Sequence, residues 1–258
     1  MLRRMEKHGV DRIFQIGDLV DRGPASVECV RIIRTWTFTD RSGKQRNVEF
    51  VVGNHDNNYL YGRKHWMLPT LKFFPRFHEK ATGEGYSRAD IHWLSQQPYF
   101  RQVPELNLTL VHGGIPPFLT ELDDSRHTGF FLTRCGYLGS KGEVLKPTQK
   151  SGKFWADSYD GRFGQVIFGH TSFSKIKVFE DAIGIDCSKM GALAGIIYDE
   201  YDIVHLYEKY SKHRNPAGSS SKSNDGSARF RQSHSSVSGG VRAKGNAGAD
   251  WWNRGRHA

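Results

Sequence analysis

The chain has 258 residues, 37 basic and 27 acidic side chains, a formal net charge of +10 and 37% hydrophobic residues, one or two domains' worth of soluble protein. No apolar run approaches the roughly 18 residues of a membrane-spanning helix, and Met1-Leu2-Arg3-Arg4-Met5-Glu6-Lys7 is charged where a signal peptide is apolar, so no membrane partner and a cytoplasmic location are expected. Cys29, Cys135 and Cys187 lie far apart without a C-x-x-C pair, which excludes a disulfide framework and a structural zinc site.

In chain order, Leu2 and Met5 with Gly9 behind them fit a short helix over Met1 to His8. Ile13 to Ile16 reads as a buried strand that stops at Gly17-Asp18. Val27, Val30 and Ile33 form a helical stripe. Trp36 to Asp40, the turn Arg41 to Lys44, and Gln45 to Val52 read as a hairpin that ends at Gly53-Asn54-His55-Asp56. An aromatic-rich loop, Tyr59 to Tyr86, precedes a helix over Ser87 to Gln97. Leu108 to Val111 is a strand running into His112-Gly113-Gly114, and Val166 to Phe168 is a strand running into Gly169-His170-Thr171. The body is therefore mixed α/β.

Charge divides unevenly between two segments, a folded domain over residues 1–210 and a tail over residues 211–258. The first holds 28 basic and 25 acidic side chains, the second 9 and 2. In the tail 17 of 48 residues are Gly or Ser and no periodicity persists, so it is expected to be disordered. Arg229-Phe230-Arg231 and Trp251-Trp252 with Arg254 and Arg256 could stack on single-stranded bases and make weak RNA contacts, or the tail is simply solubilising.

Open α/β sheets collect ligand-forming residues beyond their C-terminal strand ends. Asp18, Asn54, His55, His112 and His170 all fall at that edge. A carboxylate, an amide oxygen and imidazoles make a hard-to-borderline donor set suited to Mn, Fe or Zn. Each alone has a structural explanation, as a turn cap or a satisfied core histidine. Four strand ends carrying such side chains together point to a metal.

The series Gly17-Asp18-Leu19-Val20-Asp21-Arg22-Gly23, Gly53-Asn54-His55-Asp56, His112-Gly113-Gly114 and Gly169-His170-Thr171 closely resembles the calcineurin-like metallophosphoesterases, over roughly residues 11–200. The likeness is to the branch of phosphoprotein phosphatases and symmetrical diadenosine tetraphosphatases, because Asp-Arg-Gly extends the first motif and Ser172 stands where Gly-His-x-His would carry a second histidine. Phe154-Trp155-Ala156-Asp157, Gly184-Ile185-Asp186 and Gly191-Ala192-Leu193 look like the bacterial-type members. The resemblance implies a four-layer α/β/β/α sandwich holding two divalent metal ions and acting on a phosphorylated substrate, a phosphoprotein or nucleotide, through a metal-activated hydroxide. It makes Asp18 the bridging ligand, with Asn54, His112 and His170 completing one metal's shell. Arg22 would clamp the phosphoryl oxygens, His55 would protonate the leaving oxygen, and Asp21 would orient its ring. Arg134 falls where family members carry a second phosphate-binding arginine, and a surface salt bridge would explain it equally well.

The same family carries Asp-x-His-Gly on its first strand, ahead of Gly17-Asp18. None of the sixteen residues before Gly17 makes that motif. Asp90-Ile91-His92 is no substitute, because residues two apart on a helix point away from each other. The expectation is an N-terminally truncated sandwich in which Met1 to His8 is the helix after the lost strand. Only one metal site is then complete, activity is impaired, and apolar surface is exposed. A non-catalytic phosphate- or RNA-binding module is the alternative.

Overall fold

Leu108–Val111 is buried at all four positions, and Val166, Ile167 and Phe168 are buried in succession, the pattern of strands covered on both faces. The computed structural model describes residues 1–21, 23–61, 84–146, 148–149, 151–198 and 203–209, all within one unit that spans Met1–His213. In it the helices are α1 (Leu2–Lys7), α2 (Ser26–Thr35), α3 (Asn54–Tyr61), α4 (Arg88–Ser95) and α5 (Arg126–Leu132). The strands are β1 (Phe14–Gln15), β2 (Thr37–Thr39), β3 (Gln45–Asn47), β4 (Glu49–Phe50), β5 (Phe100–Val103), β6 (Leu108–Val111), β7 (Tyr137–Leu138), β8 (Lys153–Phe154), β9 (Gln165–Phe168), β10 (Lys177–Val178), β11 (Ala182–Gly184), β12 (Ala192–Tyr198) and β13 (Ile203–Lys209).

Five of these strands form one mixed sheet in the order β10-β11-β9-β6-β5, parallel across β11-β9-β6 and antiparallel at both edges. β1 and β4 pair in parallel, with Phe14 opposite Glu49 and Gln15 opposite Phe50. β12 and β13 form a seven-residue antiparallel ribbon. One core cluster gathers Val30, Ile33, Phe38, Phe50, Leu94, Val111, Trp155 and Phe168; a second gathers Leu108, Leu110, Ile167 and Ile183.

The expected hairpin is corrected in one respect. Gln45 to Val52 is two short strands, since β3 pairs antiparallel with β2 whereas β4 pairs in parallel with β1. Val48, buried between them, marks the change of partner. The stripe of Val30 and Ile33 lies on the buried face of α2. α1 is followed by Gly9 at φ +63°, the left-handed conformation that ends a helix. Residues 62–83, in the aromatic-rich loop, and the tail from 210 onward lie outside the described residues, as do the disorder and RNA contacts expected of the tail.

β1 runs parallel to β4 and β6 parallel to β9, and the residues that follow the four strands meet at one place. An open cavity of about 2000 Å³ reaches this place from α1 and β12, passing along β1. No helix among the described residues is long and apolar enough to cross a membrane.

Candidate active site

The four strand ends approach one another so closely that two glycines are obligatory. A Cβ on Gly17 (φ +89°) would stand 2.5 Å from His112 Nδ1, and a Cβ on Gly53 would stand 2.3 Å from Asp18 Oδ1. Asp18, Asp21 and His170 are non-glycine residues at φ 61°, 70° and 59°. Such conformations cost on the order of 1–3 kcal/mol each and persist where surrounding contacts hold them.

Asp56 supplies much of that hold. Fully buried on the first turn of α3, it accepts the backbone N–H groups of Asp18 at 2.7 Å, Leu19 at 2.9 Å, Val20 at 3.2 Å and Gly53 at 2.9 Å. Burial, helped by the nearby Asp18 charge, pushes its carboxyl up to about 6, against the pull of these N–H donors.

Asp18 Oδ1 accepts the N–H of His55 at 3.0 Å, and its Oδ2 lies 3.2 Å from His112 Nε2. Asn54 Oδ1 lies 3.1 Å from His112 Nε2 and 2.8 Å from His170 Nδ1. His112 Nδ1 lies 2.8 Å from the carbonyl of Ile16. A carbonyl only accepts, so Nδ1 carries a proton and Nε2 faces the cluster. Burial works to raise the Asp18 carboxyl, but the charge and hydrogen bond of His112 hold it well below the usual carboxylate range. Burial likewise works to lower His112, and the Asp18 carboxylate outweighs it, so His112 is raised. His170 is pushed down to about 3 by burial and by the charge of His112, and is a neutral imidazole near neutral pH.

A carboxylate oxygen, an amide oxygen and two imidazole nitrogens thus meet around one point, where a proton or a cation must lie between them. Among the described residues no three His, Cys, Asp or Glu side chains form a metal cage by themselves. The Asn54 amide oxygen is the donor that joins Asp18, His112 and His170, and the mixed set it completes fits a hard-to-borderline divalent ion. The Nδ1–H of His112 on a backbone carbonyl fixes the ring as metal-ligating histidines are fixed.

Beside this cluster His55 Nδ1 lies 2.7 Å from Asp21 Oδ2, so the carboxylate orients the imidazole. Arg134 donates to Asn58 Oδ1 at 2.6 Å and to Thr133 Oγ1 at 2.9 Å, and lies 4.7 Å over the Phe130 ring. Burial pushes its guanidinium down to about 10, still charged at neutral pH. Among the described residues Arg134 has no carboxylate partner. Arg22 lies outside the described residues.

The calcineurin-like phosphoesterase family model matches residues 1–172. The chain belongs to this family. Its reaction class is hydrolysis of phosphoric ester bonds, and members use divalent metals. The asymmetrical bis(5'-nucleosyl)-tetraphosphatase PrpE of Halalkalibacterium halodurans is 26% identical over 204 residues, 74% of this chain and 76% of the relative. The symmetrical bis(5'-nucleosyl)-tetraphosphatase of Shewanella sediminis is 32% identical over 135 residues, 50% of this chain and 44% of the relative. A crystal structure described as a "putative diadenosine tetraphosphatase" superposes with a TM-score of 0.57 at 23% identity, covering 80% of this chain and 85% of that one. That last likeness shows the fold, an α/β sandwich.

Sequence reading gave no role to Asp56, Asn58 or Gln15. Asp56 could have been found as the last residue of Gly-Asn-His-Asp, since an acid on a first helical turn invites nearby N–H groups. Gln15 bonds Gly17 at both its amide ends, 2.8 Å each, a contact with no signal in sequence. Asp90 is buried and bound to arginines while His92 is exposed, so Asp90-Ile91-His92 chelates nothing.

Proposed function

We propose that this chain is a divalent-metal-dependent phosphoric ester hydrolase, cytoplasmic, whose substrate is a dinucleoside polyphosphate. The meeting of Asp18, Asn54, His112 and His170 around one point, beside the His55–Asp21 pair, carries the reading. The names of the tetraphosphatase relatives favour a nucleotide over a serine/threonine phosphoprotein. Asp18, Asn54, His112 and His170 would hold Mn, Fe or Zn. When bound, the ion supplies a Lewis acid and makes water a nucleophile near neutral pH. Arg134, with Arg22, binds phosphoryl oxygens through its planar fork. His55, its Nδ1–H held by Asp21, is placed to give the Nε2 proton to the leaving oxygen.

Asp18, Asn54, His112 and His170 form one donor set, so at least one divalent ion is expected to be held by these residues. The same single donor set supports a second reading, phosphate binding without turnover. Elemental analysis and hydrolysis of an aryl phosphate and a dinucleoside tetraphosphate in Mn²⁺ test both. Bound divalent metal with chelator-sensitive release lost in Asp18→Asn is the expected result. Turnover that survives chelation and Asp18→Asn would overturn this metal site. Ligand binding with no turnover at all, abolished by Arg22→Ala, would favour the second reading.

A further inference from the structure

The turn Cys187 to Gly191 borders the cavity through Cys187, Ser188 and Lys189, as His170 does. Ser172 follows His170 by two residues, so their Cα atoms are at most about 7.6 Å apart. Its Oγ accepts the N–H of Lys189 at 2.9 Å and lies 3.2 Å from Ser188 Oγ. Asp186 Oδ1 accepts the N–H of Ser188 at 2.8 Å, bracing the same turn, and Gly191 ends it at φ +64°. The backbone of Lys189 is therefore tied to the loop that carries His170. Lys189 is exposed and lines the same cavity as Asp18, Asn54, His112 and His170. Among the described residues Lys189 forms no ion pair. The two carboxylates nearest in sequence, Asp181 and Asp186, do not neutralise it.

A phosphomonoester brings one phosphoryl group to the donor cluster and nothing beyond. A polyphosphate chain continues away from it, with negative charge on each further phosphate. An ammonium on a flexible stem, rooted a fixed distance from the cluster, matches the next phosphate along and tolerates its range of positions. We propose that Lys189, rooted by Ser172, is a second phosphate subsite that makes this cavity prefer a polyphosphate chain to a monoester. The proposal rests on the reading of the site as that of a phosphoester hydrolase.

Calorimetric titration of the full chain with AMP and with ATP, each at the same excess of Mn²⁺, tests it without requiring turnover. Wild type binds ATP more tightly than AMP. Lys189→Ala weakens ATP by about fivefold and AMP by less than about twofold, the size of one exposed charge contact, and Lys189→Glu weakens ATP further. Lys153, exposed on β8 and outside the cavity, is the control, and Lys153→Ala changes neither affinity. An equal loss for both nucleotides in Lys189→Ala, or no loss for ATP, overturns the subsite while leaving the site reading intact. Failure of the wild type to bind either nucleotide overturns both.

Discussion

Asp56 shows how one side chain can set a whole site without touching a ligand. Four N–H groups from two strand ends converge on its carboxylate, so the positive φ of Asp18 and the narrow gap at Gly53 depend on it. Asp56→Asn turns one acceptor into a donor facing those N–H groups. Supporting residues of this kind change metal affinity by roughly 10–100-fold, so Mn²⁺ titration of the variant should show a loss in that range. Unchanged affinity would mean the strand ends hold their geometry by packing alone. Gly53→Ala places a carbon 2.3 Å from Asp18 Oδ1, which neither backbone can yield without moving the carboxylate. It should abolish tight Mn²⁺ binding while leaving far-ultraviolet circular dichroism near that of the wild type.

At the scale of elements, α4 is held by one carboxylate. Asp90 accepts the N–H of Ser87 at 2.8 Å, and Ser87 Oγ accepts the N–H of Asp90 at 3.1 Å, a reciprocal cap on the helix start. Arg31 and Arg34 on α2 reach the same carboxylate at 3.2 and 3.0 Å, so the cap also fastens two helices. Burial works to raise the Asp90 carboxyl, but the Ser87 bonds and the two guanidiniums hold it below the usual range. A depressed folded value stabilises fully above the unfolded value of about 3.9 and is lost as pH falls through the folded one. The melting-temperature gap between wild type and Asp90→Asn should therefore be constant from about pH 8 to 5 and close below about pH 4. Asp90→Ala should cost about 3 kcal/mol in denaturant unfolding, from a lost cap and two arginines left without their partner.

Across the whole molecule, the large cavity is bordered by β1 and β12. Among the described residues each pairs on one side only, β1 with β4 and β12 with β13. On the β12–β13 ribbon Leu193 is 53% exposed, and Val204 and Tyr207 are each 39% exposed. Unpaired strand edges beside apolar surface favour association. Light scattering should show self-association that rises with concentration, and Leu193→Lys should reduce it by placing a charge at the exposed strand. A monodisperse monomer at high concentration would contradict this.

Sequence alone determined where the strands end and which side chains stand there, because buried strands are continuous apolar runs and tight turns demand glycine. Asp18, Asn54, His112 and His170 could be picked out for that reason, and so could α2, α4 and the glycine that ends α1. Partner choice could not, because a strand pairs with whatever the fold sets beside it. Gln45 to Val52 reads as one strand and is divided between two sheets. Arg134 can be read from sequence as a surface salt bridge or a phosphate ligand, and its contacts with Asn58 and Phe130 appear only in the folded chain. Asp56 was legible as an acid, but its function as an acceptor of four N–H groups exists only once two strand ends lie side by side. Long-range convergence of backbone groups leaves no periodicity in the chain, and only the tertiary structure decides it.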